Sequence, residues 1–265
     1  MESKKVPLRH RSDQNNGTGR EKRLKRKEIL EKKKSKDELI KAASSDGYPL
    51  AAFPASRHYN GNGLSVCLES GSGDKLSSPV KQYIQNLLKA NMEGQYGSEW
   101  PAEEKVKRRE MVAPEARYIF IYEALSASSI ETSTTFESER RLTDCVGCKR
   151  PLVGFVHYRF TLEEEVPVLY LYEIQLESRI QGKGLGEFLM QLIELIACKK
   201  RMGAVVLTVQ KANLLAMNFY ISKLRYVISS ISPSRVNTLT GDEMTYEILC
   251  KGFDDEAKAI LEEIG

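Results

Sequence analysis

The stretch that most limits what this chain can become is YLYEIQLESRIQGKGLGEFLMQLIELI, residues 170–196, an apolar strand pattern that runs through a glycine-rich turn into an amphipathic helix. In Gln181-Gly182-Lys183-Gly184-Leu185-Gly186 the glycines permit positive φ and close backbone approach. Successive N–H groups can then converge on an anion at the helix N-terminus, where the helix dipole adds attraction. A phosphate or pyrophosphate is the natural guest, although a glycine-rich helix start without a ligand has the same sequence. A Walker loop needs GxxxxGK[ST], which is absent, and glycines at 182, 184 and 186 do not make the dinucleotide pattern GxGxxG. What remains is QxxGxG on a strand-to-helix turn.

The surrounding periodicities place that turn in one mixed α/β domain. Strands are expected near Leu64–Glu69, at Arg117–Ala124, Leu152–Phe160 and Val168–Glu177, at Ala204–Val209, and at Met244–Cys250. Helices are expected from about Pro79 to Glu93, after Trp100-Pro101, over Gly184–Arg201 and over Asn213–Lys223. Residues 126–150, rich in Ser, Thr and Glu without periodicity, read as a polar hairpin insertion.

Charge separates the ends from the middle. Residues 1–41 hold 15 basic and 7 acidic side chains, a net of +8, against a whole-chain net of +4, so the remainder carries −4. The basic excess, centred on Lys22-Arg23-Leu24-Lys25-Arg26-Lys27, reads equally as a solubilising helix and as an import or nucleic-acid-contacting run. The expected division is therefore 1–46, a basic and partly helical extension; 47–252, the globular α/β domain; and 253–265, an acidic tail.

Several function classes are disfavoured. No 18 apolar residues run together, so no membrane helix is expected. The start, MESKKVPLRHRSD, lacks the apolar core of a secretory signal, which leaves nucleus and cytoplasm as the expected locations. The only histidines are His10, His58 and His157, and Cys145 and Cys148 form a lone CxxC without a second ligand pair. No metal site and no Ser/His/Asp hydrolase is expected from such a set.

QxxGxG, followed by LTVQKANLLAMNFYISKLRY with Asn213, Ala216, Phe219 and Tyr220 in an NxxAxxFY pattern, resembles the acetyl-CoA-binding core of the GNAT acetyltransferases. Adding AFPASRHYNGNGL (52–64), SEW (98–100), YLYEIQLES (170–178) and TYEIL (245–249), the chain resembles the N-alpha-acetyltransferase 40 (NatD) family over about residues 50–250. Gln181 stands where that motif often has Arg. The resemblance implies the GNAT acyl-CoA N-acyltransferase fold, a central twisted mixed sheet flanked by helices, with acetyl-CoA as co-substrate. It implies pantetheine along Ile174, Gln175 and Leu176, and pyrophosphate on Gln181, Gly182, Lys183, Gly184, Leu185 and Gly186, with Asn213 and Tyr220 beside them. It also implies a substrate, the N-terminal α-amine of histones of types 4 and 2A, which start Ser-Gly-Arg-Gly.

An α-amine has a pKa near ~8 against ~10.4 for lysine, so a weak base suffices to deprotonate it at neutral pH. By the same resemblance Glu173 is the expected base through a water, beside Tyr170 and Tyr172, with Tyr220 a donor to the departing thiolate. Tyr96, Trp100, Tyr172, Thr208 and Tyr246 are expected to line the peptide slot. Glu163, in an acidic run with Glu164 and Glu165, is expected to pair with an incoming Arg. Strict strand alternation puts Tyr170, Tyr172 and Ile174 on one face and Glu173 on the other, so the tyrosines and Glu173 share a pocket only if the strand bulges. The alternatives are a GNAT enzyme acting on lysine or a small amine, and a non-enzymatic binder of nucleic acid or ribosomes through the basic extension.

Overall fold

The computed structural model describes residues 16–124, 150–237 and 244–263. Its centre is one eight-stranded sheet in the order β1-β2-β3-β4-β5-β6-β8-β7. In chain order the strands are β1 His58–Gly61, β2 Leu64–Ser72, β3 Arg117–Glu123, β4 Leu152–Glu163, β5 Val166–Leu176, β6 Ala204–Gln210, β7 Val227–Ile228 and β8 Tyr246–Gly252. Every neighbouring pair is antiparallel except β5 with β6. The parallel pair needs a crossover, and the helix α4, Leu185–Lys199, supplies it.

That parallel pairing is short. It runs from Val168 opposite Ala204 to Leu171 opposite Leu207 and then stops, while β6 continues to Gln210 on β8 alone and β5 continues to Leu176 on β4 alone. The sheet is thus split at its centre, just before the glycine turn.

Helices cover both faces. On one, α4 presents Leu189, Ile193 and Ile196 to Val156, Tyr158, Leu169 and Leu171. On the other, α2 (Ser78–Tyr96) and α3 (Trp100–Glu110) bury Ile84, Leu88 and Trp100 against Tyr118, Phe120 and Phe155. Pro79 and Pro101 sit in the first turns of these two helices, where a missing N–H costs nothing.

The extension is the long helix α1, Asn16–Ser45. Its middle exposes Leu24, Ile29 and Leu30, and its ion pairs, such as Lys27 with Glu31 and Lys34 with Glu38, are solvent-facing and of little weight. Its C-terminal end is docked: Ala43 is buried, Leu39 and Ile40 pack on the main core, and Arg117 donates to the Ser44 carbonyl. The expected tail beyond residue 252 is also part of the body. Helix α7, Asp255–Leu261, is capped by Asp254 and buries Ala257 and Leu261 against Val166, Val168 and Cys250. Its acidic residues hid two apolar positions four apart. The expected insertion at 126–150, with Cys145 and Cys148, falls outside the described residues apart from Arg150, which pairs with Glu69.

Two further elements depart from expectation. The expected helix over Asn213–Lys223 divides into α5, Leu214–Asn218, and a π turn, Phe219–Lys223, closed by the Leu224 N–H on the Phe219 carbonyl. The four-residue strand β1 joins β2 through Asn62 and Gly63, both with positive φ (49° and 70°), the conformation that an Asn-Gly hairpin requires. A short helix α6, Pro233–Val236, follows β7.

Candidate active site

Where β5 and β6 part, a cavity of about 630 Å³ opens between them. Its walls are Leu171–Leu176 of β5, Leu207–Gln210 of β6, the glycines 182, 184 and 186, Asn213, Ala216, Phe219 and Tyr220 of the π segment, and Asn91, Tyr96 and Lys107 from α2 and α3. Both halves of the sequence pattern, QxxGxG and NxxAxxFY, therefore meet on one cleft.

The glycine turn follows from its residues. Gly182 and Gly184 have φ of +71° and +82°, and Gly184 caps α4 in the left-handed conformation, which favours a residue without Cβ. Of the six expected cofactor residues here, Gln181 and the three glycines line the cavity, and two side chains do not. Leu185 is 1% exposed and lies in the main core. Lys183 contributes its carbonyl to the β1–β2 hairpin, accepting from Tyr59 Oη at 2.5 Å and Asn62 Nδ2 at 3.0 Å.

On β5, Ile174, Gln175 and Leu176 have no β6 partner, so their edge toward the cavity is open for an extended ligand backbone. The Leu176 carbonyl is the exception, because it already accepts from Asn91 Nδ2 at 3.1 Å and Gln181 Nε2 at 2.9 Å. Asn213 caps α5, its side chain accepting from the Ala216 N–H.

The required bulge is present. Opposite β4, Glu173 pairs with His157 and Leu171 with Tyr158, which leaves Tyr172 as the extra residue. Alternation is broken by one, so Tyr172 and Glu173 both turn to the α2/α3 side, while Leu171 packs in the opposite core. Tyr172 is held between His157, stacked at 4.8 Å, and the Arg159 guanidinium at 4.5 Å from its ring. Glu173, buried, forms a close ion pair with Lys107 through Oε1 and accepts from Gln175 Nε2 at 2.8 Å through Oε2. Burial works against the Lys107 ammonium, but the Glu173 carboxylate and then Tyr96 outweigh it and hold its pKa above the usual lysine value. Lys107 is therefore a fixed cation beside the carboxylate.

Lys107 and Asn91 were missed by sequence reasoning. A signal existed for Lys107: it lies seven residues after buried Trp100 and four before buried Met111, so it is a charged residue on the apolar stripe of α3. Asn91 gave no such sign.

The tyrosines divide by environment. Tyr220 is buried in the cavity wall, its pKa pushed well up by burial and then by Glu173, so its hydroxyl stays protonated. Burial raises Tyr172 and Tyr96 as well, against the opposing charges of Arg159 and Lys107 respectively. Tyr170 is pushed up to about 12 by burial and shares a 2.6 Å hydrogen bond with Thr208 Oγ1, one residue past the end of the β5–β6 pairing. Thr208 lines the cavity, whereas Tyr170 and Tyr246 stand outside its lining, with Tyr246 opposite Gln210 on β8. Trp100 is 3% exposed beneath Tyr96, with ring centroids 5.9 Å apart, which makes it core rather than slot. Glu163 sits at the end of β4, beside the Glu164-Glu165 turn, outside the cavity lining; burial and then Glu164 raise its pKa. Among the described residues no group of three or more His, Cys, Asp or Glu is arranged to hold a metal, and no helix is long and apolar enough to cross a membrane.

Residues 95–224 match the family model described as acetyltransferase (GNAT) family. Among solved structures, the chain is similar to a GNAT-family acetyltransferase from Listeria monocytogenes 4b F2365, at 12% identity over 74% of this chain and 99% of that one, with a TM-score of 0.45. It is similar to the PaiA N-acetyltransferase of Thermoplasma acidophilum, solved with coenzyme A, at 15% identity, 72% and 100% coverage and a TM-score of 0.45. Naa50 of Arabidopsis thaliana, solved with the bisubstrate analogue CoA-Ac-MVNAL, is similar at 17% identity, 71% and 99% coverage and a TM-score of 0.41.

Proposed function

From the premise that the chain carries the GNAT acetyltransferase core, matched over residues 95–224, we propose that it moves acetyl from acetyl-CoA to the N-terminal α-amine of proteins, with histones of types 4 and 2A, starting Ser-Gly-Arg-Gly, as substrates. The bulge at Tyr172 carries this reading. It turns the Glu173 carboxylate, with Tyr172, into the cavity that protonated Tyr220 also lines, so that a base and a proton donor share the split of the sheet, as amine acylation needs.

In this reading the open β5 edge at Ile174 and Gln175 and the glycine turn hold the acetyl donor, which supplies an activated thioester. Glu173 receives the amine proton, through a water as the resemblance implies; its two oxygens bond Lys107 and Gln175 and each keeps a lone pair to accept from that water. Tyr220, buried and protonated, donates to the departing sulfur. Protonated Tyr96 and Tyr172, with Thr208, donate to the peptide backbone, and Glu163 meets the Arg side chain of the tail. The basic middle of α1 serves nuclear import or contact with nucleic acid or ribosomes, and the protein works in nucleus and cytoplasm.

The test is incubation with acetyl-CoA and peptides differing only in their first four residues, with the acetyl group located by mass spectrometry. Acetylation of the α-amine of the Ser-Gly-Arg-Gly peptide is expected. Robust acetylation of an internal lysine in an N-blocked peptide would replace this reading with a lysine acetyltransferase.

A further inference from the structure

The β1–β2 hairpin touches the glycine turn at one atom, and that atom decides where the turn's N–H groups point. The Lys183 carbonyl accepts from both Tyr59 Oη and Asn62 Nδ2, two donors more than 120 residues away in sequence. A trans peptide is planar, with its C=O and the following N–H in opposite directions. Fixing the Lys183 carbonyl outward, onto the hairpin, therefore turns the Gly184 N–H inward, and Gly184 lines the cavity.

The geometry is closed around this contact. A Cβ on Gly184 would come within 2.8 Å of Tyr59 Oη and 3.2 Å of Asn62 Nδ2, so hairpin and turn fit only with glycine there. The Tyr59 ring is itself fixed on Phe188 of α4, centroid to centroid 5.2 Å. Asn62 is carried at the tip of the hairpin by its left-handed backbone, which presents the side chain to the turn. A glycine turn without such a support has many accessible peptide orientations, and ordering them on binding would weaken affinity.

We propose that Tyr59 and Asn62 are positioning residues for the acetyl donor: they clamp the Lys183 carbonyl so that the Gly184 N–H is preset to meet the pyrophosphate of acetyl-CoA. The inference rests on the acetyl-CoA reading of the cleft. It assigns no contact with the donor to either side chain, since both act through the Lys183–Gly184 peptide.

The experiment uses the full chain with Tyr59→Phe, which keeps the ring on Phe188, and Asn62→Gly, which keeps the left-handed backbone, singly and together. Two acetyl donors are compared at saturating peptide: acetyl-CoA, and S-acetylpantetheine, which has the same thioester arm and no pyrophosphate. The double variant is expected to raise KM for acetyl-CoA by about tenfold, one lost charge-assisted hydrogen bond's worth, with kcat within about twofold. Its kcat/KM for S-acetylpantetheine should match wild type. Equal losses with both donors would mean a general loosening of the cleft and would overturn the clamp, as would an unchanged KM for acetyl-CoA. Failure of the wild-type protein to bind acetyl-CoA would instead remove the functional reading, and the clamp with it.

Discussion

The two halves of β5 are one strand in sequence and two devices in the molecule. From Val168 to Leu171 it lies between β4 and β6, paired on both sides; from Tyr172 to Leu176 it has β4 on one side and the cavity on the other. Two tyrosines of the same strand show what the change does. Tyr170, opposite Val206 in the paired half, turns its hydroxyl onto Thr208 at the mouth of the split, whereas Tyr172, the unpaired residue of the bulge, stacks on His157 under Arg159 and faces the cavity. The paired half is built for burial. The open half exposes backbone and turns a carboxylate inward, and that is stable only because α3 reaches over with Lys107 and α2 with Asn91.

The largest expected effect comes from breaking the open half at its carboxylate. Glu173→Gln should lower kcat by about 10³-fold, roughly 4 kcal/mol, with acetyl-CoA KM nearly unchanged, since general-base removal acts on the chemical step. It should also destabilise the fold by about 3 kcal/mol in urea unfolding, because the buried Lys107 ammonium loses its counter-charge. Near-normal turnover would remove Glu173 from the mechanism, and unchanged stability would show that the pair is not buried as described.

A second comparison sharpens the division without touching the chemistry. Leu171, 2% exposed in the main core, ends the paired half, and Ile174, partly buried against that same core, belongs to the open half. Leu171→Ala should cost about 3 kcal/mol through lost packing and the cavity left behind, and Ile174→Ala about 1 kcal/mol, a difference of about 2 kcal/mol measurable by denaturant unfolding. Equal costs would mean that the two halves are supported alike.

Much of this was legible in the sequence, for physical reasons that also mark where legibility ended. The strand-turn-helix around the glycines was readable because positive φ and helix capping leave glycine at fixed places, and the long strands because β-branched and aromatic residues cluster in them. β1 was missed because four half-exposed residues have no apolar alternation; the Asn62-Gly63 pair was the available sign. The α7 helix was hidden by its charge, and the division of the 213–223 helix by a π turn, which leaves no trace in composition. At the site, the need for a bulge followed from alternation, but its place opposite His157 and Tyr158 is a property of the pairing register, set by two strands together. Trp100 is expected in the slot because it falls in the family-like string SEW, and a shared string does not distinguish a wall residue from the core behind it.

The smallest expected effect tests the stack that supports the open half. His157 is 3% exposed between Tyr118 at 4.9 Å and Tyr172 at 4.8 Å, and its pKa is pushed down to about 3 by burial, then by Arg159 and Lys107. The unfolded chain protonates this imidazole near pH ~6.5 and the folded chain does not, so between those values the unfolded state holds the extra proton. The contribution to stability is therefore complete above about pH 6.5 and is lost on acidification, by about 1 kcal/mol between roughly pH 7 and pH 5.5. Glu110 and Glu163, whose pKa values burial raises, act with the opposite sign and must be subtracted. His157→Phe retains a flat ring between the two tyrosines and removes the titration. The difference in unfolding free energy between wild type and variant should then shrink in the variant's favour as pH falls through that window. Parallel pH profiles for the two proteins would show that His157 is not the buried neutral ring on which Tyr172 rests.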